Sequence, residues 1–364
     1  MPAPTAPTDL ATQNLNVVGL TPLRSPAELE AELPVSPSAL EAVARARQAI
    51  QDIMMGKDGR LLVVVGPCSI HDTEAALEYA GRLRGLAERV SDRMLVVMRA
   101  YFEKPRTTMG WKGLINDPHL NGTFDMQTGL RRARKLLIDI AELGLPTGTE
   151  LLEPITPQFL DDLLAWAAVG ARTTESQTHR QMASGLSMPV GFKNATNGNL
   201  QVALDAMQAA RHPHHFLGIN EEGRTCVVAT RGNAFGHVIL RGGAGRPNYD
   251  PGNVADAAAG LEAAGLNPLL MVDCSHANSG KQHARQSVVW ESIIEQRRAA
   301  PVGVVAGGPG GCPIIGAMIE SFLEEGNQKL TDPANLMYGV SVTDACVGWD
   351  ATERMLIEGY ERLG

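Results

Sequence analysis

Short apolar runs alternate with helical stretches through most of this chain, and few folds accommodate that rhythm. Residues 61–65, Leu-Leu-Val-Val-Val, form an unbroken apolar run, the pattern of a strand buried on both faces. Further strands are predicted at 94–98, 146–151, 171–174, 189–193, 237–240 and 268–272. Helices are predicted at 74–90, 128–143, 158–168, around 179–185, at 201–210, around 254–264 and at 281–298. The last strand has two candidates, 302–306 and 314–320; the second leaves the Gly-rich link 306–311 as a loop and puts Glu320 at a strand end. Eight such units predict an α/β fold, a closed (β/α)8 TIM barrel, with a doubly wound open sheet as the alternative. Residues 216–232 alternate apolar and polar around Glu221-Glu222-Gly223, so a β-hairpin inserted at about 214–232 is expected. The Pro-, Ala- and Thr-rich residues 1–35 read as an arm, ordered only where it docks. A helix is expected over 36–55, with Ser38 as N-cap and Gly56 as its stop. The expected division is an N-terminal arm and helix over 1–58 and a barrel over 59–364.

Composition narrows the function classes. With 32 Lys and Arg against 40 Asp and Glu, the formal charge is −8, which disfavours nucleic acid as a partner unless the basic residues are gathered in one place. No apolar run reaches a membrane span, and the first residues lack the basic start and apolar core of a secretory signal. Five widely spaced cysteines, Cys68, Cys226, Cys274, Cys312 and Cys346, argue against a disulfide framework and for a reducing, cytoplasmic setting.

In (β/α)8 barrels the chemistry sits at the C-terminal ends of the strands. Here those ends read Gly66-Pro67-Cys68-Ser69, Arg99, Glu150, Ala171-Arg172, Lys193, Arg241, Asp273-Cys274-Ser275-His276 and Glu320. Arg99, Arg172, Lys193 and Arg241 therefore meet at one rim. Either each pairs with a local carboxylate or they form an anion site, and gathering like charges in a low dielectric favours the second. Lys104, Arg106 and Thr107 on the next loop add a second basic cluster, so two anionic substrates, or one with two anionic ends, are expected. Cys68, His276, Glu320 and Asp344 together suit one divalent first-row ion, Mn, Fe, Co or Zn. Taken singly, each also suits a packing, turn or capping role.

The strings Gly66-Pro-Cys-Ser-Ile-His-Asp, Arg99-Ala-Tyr-Phe-Glu-Lys-Pro-Arg-Thr-Thr, Gly110-Trp-Lys-Gly-Leu, Gly170-Ala-Arg-Thr-Thr-Glu-Ser, Gly191-Phe-Lys-Asn, Ile239-Leu-Arg-Gly-Gly, Ser275-His-Ala-Asn and Ser341-Val-Thr-Asp-Ala-Cys resemble the type I 3-deoxy-D-arabino-heptulosonate-7-phosphate (DAHP) synthases. The likeness runs from about residue 61 to the C-terminus. It implies phosphoenolpyruvate and erythrose 4-phosphate as substrates, one divalent metal per subunit, and the first step of the shikimate pathway. The implied metal ligands are Cys68, His276, Glu320 and Asp344. The implied phosphoenolpyruvate contacts are Arg99, Lys104, Glu150 (through a water), Ala171, Arg172, Lys193 and Arg241. Those for erythrose 4-phosphate are Lys104, Pro105, Arg106 and Thr107. In the implied mechanism the metal polarises the aldehyde, C3 of phosphoenolpyruvate attacks it, water adds at C2 and phosphate leaves. A Schiff-base role for Lys104 or Lys193 is the rival, and it needs a desolvated, low-pKa amine. Cys274, where a large apolar residue is expected, reads as a packing substitution, and the 298–312 link is longer than expected.

The resemblance also implies feedback inhibition by one aromatic amino acid, bound near Asn16, Pro154, Pro157, Gln158, Ser187, Phe216 and Gly218. Gly218 leaves room for a para-hydroxyl and favours tyrosine, with tryptophan open. A homodimer or homotetramer with the arm at an interface is expected. Two other functions compete: a related sugar-acid phosphate synthase, and a non-catalytic barrel that binds a phospho-metabolite.

Overall fold

The computed structural model describes residues 12–299 and 311–364. Two helices precede the barrel: α1 (Pro26–Glu32), closed by a Ser25/Glu28 capping box, and α2 (Pro37–Met54). The cap of α2 is Ser36, whose Oγ accepts from Ala39 N at 3.1 Å. The expected cap, Ser38, instead lies inside the helix beside Ser36 Oγ, because Pro37 sets the first helical φ one residue earlier.

Then come β1 (Leu61–Gly66), α3 (Thr73–Arg89), β2 (Met94–Arg99), α4 (Met126–Glu142), β3 (Thr147–Glu150), the short α5 (Pro157–Leu160), β4 (Trp166–Val169), α6 (Gln177–Ala183), β5 (Val190–Lys193) and α7 (Gln201–Ala210). The hairpin β6 (His215–Ile219) and β7 (Thr225–Ala229) follows, then β8 (Gly236–Leu240), α8 (Pro251–Ala263), β9 (Leu270–Asp273), α9 (Gln286–Ala299), β10 (Ile314–Glu320) and α10 (Trp349–Arg362). Eight strands close a parallel barrel in the order β1-β10-β9-β8-β5-β4-β3-β2, and β6 and β7 pair antiparallel outside it. The closed barrel, the choice of 314–320 as its last strand and the inserted hairpin agree with the sequence reading; the rival candidate 302–306 lies outside the described residues. Among the described residues no helix is long and apolar enough to cross a membrane.

One strand differs from expectation. Residues 158–168 are not one helix: α5 ends at Leu160, a 3-10 turn covers Asp161–Leu163, and β4 begins at Trp166. Ala167 and Ala168 suit a helix by propensity, yet packing inside the barrel overrides it. The Trp166 indole lies across two neighbouring strands where Gly148 and Gly191 leave room; a Cβ there would meet the ring at 2.8 and 2.9 Å. Residues 171–174, expected as the strand, form a turn on the Gly170 carbonyl, which accepts Thr173 N and Thr174 N, each at 2.9 Å.

Side chains alternate in and out along the strands. Leu62 and Val64 of β1 point into the barrel with Val97, Trp166, Ile239, Met271 and Met318, and Ile50, Ile53 and Met54 of α2 close that inner cluster. Leu61, Val63 and Val65 face the outer helices. One mouth of the barrel is thus plugged by apolar side chains, and the polar residues at the strand C-termini are left to the other.

Candidate active site

At the C-terminal mouth lies a cavity of about 870 Å³. It is lined by every residue expected to touch substrate: Arg99, Lys104, Pro105, Arg106, Thr107, Glu150, Ala171, Arg172, Lys193 and Arg241. His276, Glu320 and Asp344 line it too, while Cys68 is fully buried. Three of the cations stand at strand ends or just past them, on β2, β5 and β8; Arg172 stands on the turn after β4.

The floor of the cavity is charge-compensated. Arg99 is 1% exposed; its Nη2 donates to Glu320 Oε1 at 3.0 Å and its Nη1 to the carbonyls of Pro67 and Cys68. Its guanidinium stacks on the Tyr101 ring, 3.5 Å from the centroid. Lys193 Nζ donates to Glu150 Oε2 at 3.0 Å and lies 3.9 Å from Asp273 Oδ2. Burial works against the Glu150 carboxylate, but Lys193 and Arg99 outweigh it and hold its pKa below the usual range. Burial likewise opposes the Lys193 ammonium, and Glu150, Tyr101 and Asp273 more than offset it, raising the pKa to about 12. A lysine held so firmly charged is unsuited to Schiff-base chemistry. The rim is less committed. Arg172 Nε donates to Thr107 Oγ1 at 3.1 Å, and Arg241 Nη1 to the Gly242 carbonyl at 3.3 Å. Neither Arg172, Arg241 nor Arg106 is in an ion pair among the described residues, so anion-binding capacity remains at the rim.

Of the four expected metal ligands, three come together: donor atoms of Cys68, Glu320 and Asp344 lie within 4.8 Å of one another. Lys104 Nζ donates to Cys68 Sγ at 2.8 Å and to Asp344 Oδ2 at 2.9 Å. Thiolate and carboxylates suit a borderline divalent ion, and the lysine shows that the group draws a cation. Burial, then Glu320, pushes the Cys68 thiol up to about 11, which a bound metal would reverse. His276 lies outside that group of three: its Nδ1 is 2.9 Å from Asp273 Oδ2 and 2.6 Å from Ser275 Oγ, on a backbone at φ +56°. A carboxylate on Nδ1 leaves Nε2 as the free ring nitrogen, the arrangement of many metal-binding histidines.

Several residues without a role in the sequence reading support the site. Asp273 orients His276 and neighbours Lys193, and Tyr101 is the platform for Arg99. Glu103 accepts from the amides of Leu152 and Glu153 at 3.3 and 3.2 Å; burial raises its pKa to about 8. Gln286 makes two bonds to the backbone of Glu320. Asp273, Tyr101 and Glu103 stand inside the quoted strings, but only the folded contacts reveal their partners. Cys274 is fully buried, as a packing residue should be.

The residues expected at a regulatory site sit elsewhere. Pro157 and Gln158 lie on α5, and Phe216 and Gly218 on β6. Ala27 N of α1 donates to the Glu221 carbonyl at the hairpin turn, at 2.9 Å, so the arm touches the hairpin. Ser187 Oγ donates to Asp161 Oδ2 at 3.0 Å, Pro154 is half-buried, and Asn16 is exposed.

Comparison with known proteins agrees with this geometry. Residues 32–357 match the model of the DAHP synthetase I family. The chain is 53% identical over 354 residues to the Tyr-sensitive phospho-2-dehydro-3-deoxyheptonate aldolase of Escherichia coli K12, covering 97% of this chain and 96% of that one. It is 52% identical to the Trp-sensitive enzyme of Enterobacter agglomerans (95% and 96% covered) and 51% to the Phe-sensitive enzyme of E. coli K12 (94% and 95%). A solved phospho-2-dehydro-3-deoxyheptonate aldolase from Francisella tularensis superposes with a TM-score of 0.91 at 46% identity, over 96% of this chain and 98% of that one.

Proposed function

The chain belongs to the DAHP synthetase I family, and on that premise we propose how its residues divide the work of a DAHP synthase. The protein condenses phosphoenolpyruvate with erythrose 4-phosphate to DAHP and phosphate, a reaction of the shikimate pathway. The observation that carries the division of roles is the convergence of Arg99, Lys104, Arg106, Arg172, Lys193 and Arg241 on one cavity beside a Cys/Glu/Asp donor group.

Cys68, Glu320, Asp344 and His276 hold a divalent ion, with Mn, Fe, Co and Zn all suited to the donors. When bound, that ion supplies Lewis-acid polarisation of the aldehyde oxygen. Arg99, Lys104, Lys193, Arg172 and Arg241, with the backbone at Ala171, bind the carboxylate and phosphate of phosphoenolpyruvate. Arg106 and Thr107, with Lys104 and Pro105, bind the phosphate of erythrose 4-phosphate. The two anionic ends are thereby fixed, and C3 of phosphoenolpyruvate faces the aldehyde carbon. Glu150, held by Lys193, orders the water that adds at C2, and phosphate leaves by C–O cleavage. Positioning and fixed charge supply most of the rate.

The test is phosphoenolpyruvate consumption by chelator-stripped protein. Loss only when erythrose 4-phosphate and Mn²⁺ are both added is the expected result. No turnover with any divalent ion, from folded protein, would favour a phospho-metabolite-binding barrel instead.

An aromatic amino acid inhibits the enzyme, bound between the arm, α5 and the hairpin at Asn16, Pro154, Pro157, Gln158, Ser187, Phe216 and Gly218. Tyrosine is the favoured one. Overall identity does not choose, since relatives sensitive to each amino acid are 51–53% identical. Gly218 supports tyrosine: Val228 Cγ2 would stand 2.8 Å from a Cβ there, so the position stays glycine and brings no side chain of its own to crowd a para-hydroxyl. A thermal-shift series with the three amino acids tests this, and stabilisation by phenylalanine alone would refute it. Exposed Val17, Val18 and Leu20 on the arm and Leu217 and Val227 on the hairpin support a homo-oligomer, dimer or tetramer. Five free cysteines support a cytoplasmic location.

A further inference from the structure

We infer that Lys104 is a built-in counter-cation of the metal-donor group, which an arriving divalent ion must displace, so that metal loading swings this lysine out to the anionic substrate. The inference rests on reading Cys68, Glu320 and Asp344 as metal donors.

The donor group is acidic, and two side chains neutralise it between them. Arg99 serves Glu320, at 3.0 Å. Lys104 serves the other two, with Nζ 2.8 Å from Cys68 Sγ and 2.9 Å from Asp344 Oδ2. All three donors lie within 4.8 Å of one another, and the ammonium is hydrogen-bonded to two of them, so it competes with a metal ion for the lone pairs of those two atoms. A divalent ion bound through those atoms draws off the electron density the ammonium is bonded to and repels it at close range, so the seated position of Lys104 is disfavoured once the metal is in place.

The chain is built to let one of the two cations leave. Arg99 is packed on Tyr101 and bound to two carbonyls at the end of β2, so it is fixed. Lys104 begins the exposed loop that carries Arg106 and Thr107. Its backbone is pinned, N donating to the Lys112 carbonyl at 2.7 Å, while its four-carbon stem can turn about that anchor. Lys104 also lines the substrate cavity, so the displaced ammonium needs only to rotate to face an anion there.

Two consequences follow by linkage. The apparent metal affinity of the free protein is reduced by the fraction of time Lys104 is seated. Phosphoenolpyruvate, by drawing Lys104 outward, strengthens metal binding, and metal strengthens phosphoenolpyruvate binding by the same factor.

The test is Mn²⁺ affinity, read from the paramagnetic resonance signal of free Mn²⁺, for the chelator-stripped protein and for Lys104→Met, each with and without phosphoenolpyruvate. K104M is expected to bind Mn²⁺ about tenfold more tightly than the parent without phosphoenolpyruvate. Phosphoenolpyruvate is expected to tighten Mn²⁺ binding in the parent and to do so much less in K104M. Equal or weaker Mn²⁺ binding by K104M, or the same phosphoenolpyruvate effect in both, overturns the role of Lys104 and leaves the metal site standing. Failure of the parent to bind Mn²⁺, Fe²⁺, Co²⁺ or Zn²⁺ at all overturns the metal site and the inference with it. A second measurement needs no variant: reductive methylation of the parent, read by mass spectrometry at Lys104. Labelling is expected to be slow without metal and severalfold faster with Mn²⁺; equal rates overturn the proposal.

Discussion

Replacing Lys193 by methionine separates what the buried ion pair does for the fold from what it does for the substrate. The Lys193 and Glu150 side chains are 4% and 7% exposed and bonded at 3.0 Å. With the ammonium gone, Glu150 has no hydrogen-bonded cation. Arg99 is already bound to Glu320 and two carbonyls, and Asp273 keeps His276 and Ser275. Breaking a buried pair from one side costs roughly 3–5 kcal/mol. An independent ceiling agrees: protonating a carboxyl of ordinary pKa 4.5 at pH 7 costs about 3.4 kcal/mol, after which the group is neutral. Capped there, the loss is about 3–3.4 kcal/mol, which at ~2.1 cal/mol/K per residue takes about 4 °C off the Tm of the 364-residue chain. The sign of the pH dependence follows. In K193M the folded-state pKa of Glu150 lies above its unfolded value, so the penalty is present near neutrality and fades as pH falls towards 5. The double variant Glu150→Gln/Lys193→Met removes both charges and should recover most of the lost Tm. Turnover should stay at least ~100-fold down in both, because the lost cation lines the cavity in which we propose phosphoenolpyruvate binds. Differential scanning calorimetry at pH 7 and pH 5, with steady-state kinetics, makes the check. Parental Tm and KM in K193M would refute the argument. A double variant as unstable as the single one would trace the loss to packing rather than to a stranded charge.

How much of this was legible in the sequence differs by element. β1 was plain because a strand buried on both faces must be apolar throughout, and no helix of its length reads that way. β4 was not, because Trp166-Ala-Ala-Val carries helix-forming alanines, and only the glycines on neighbouring strands show that an indole fills the barrel there. The error moved Arg172 from a turn to a strand end, yet left it at the correct rim, since in a parallel barrel the loops after strands share the mouth with the strand ends. The cations of the site were legible because several charged residues at equivalent strand ends need a common explanation. Their partners were not: that Asp273 holds His276, or that Lys104 reaches Asp344, depends on contacts across 3 residues in one case and 240 in the other. The first pairing turns on the backbone conformation of His276, at φ +56°, which propensity does not foresee, and the second is set by closure of the barrel.

Three further outcomes are expected. Gly170→Ala should damage the site from behind, because its Cβ would stand 2.3 Å from Glu150 Oε1; kcat/KM falls by at least ~10-fold, and a parental value would show that the loop moves freely. Chelator treatment should abolish turnover and lower the Tm by an amount that grows with the metal concentration it replaces, measured by thermal shift with and without added Mn²⁺. His237→Gln should make the protein more resistant to acid. His237 is fully buried on β8, and its Nε2 accepts from Trp166 Nε1 at 3.3 Å, so Nδ1 carries the ring proton and has no partner. Burial lowers its pKa to about 3. The unfolded chain takes up a proton near pH 6.5 while the folded one refuses it, so this group's contribution is intact above 6.5 and is lost as pH falls towards 3. The slope is about 1.4 kcal/mol per pH unit, or roughly 2 kcal/mol between pH 6.5 and 5. Glutamine keeps an acceptor for the indole and has nothing to titrate. Urea unfolding at pH 7 and pH 5 should therefore show the parent losing about 2 kcal/mol more than H237Q over that interval. Equal losses would mean that a proton enters the barrel floor without cost, which a histidine facing an indole N–H donor and buried among apolar side chains does not allow.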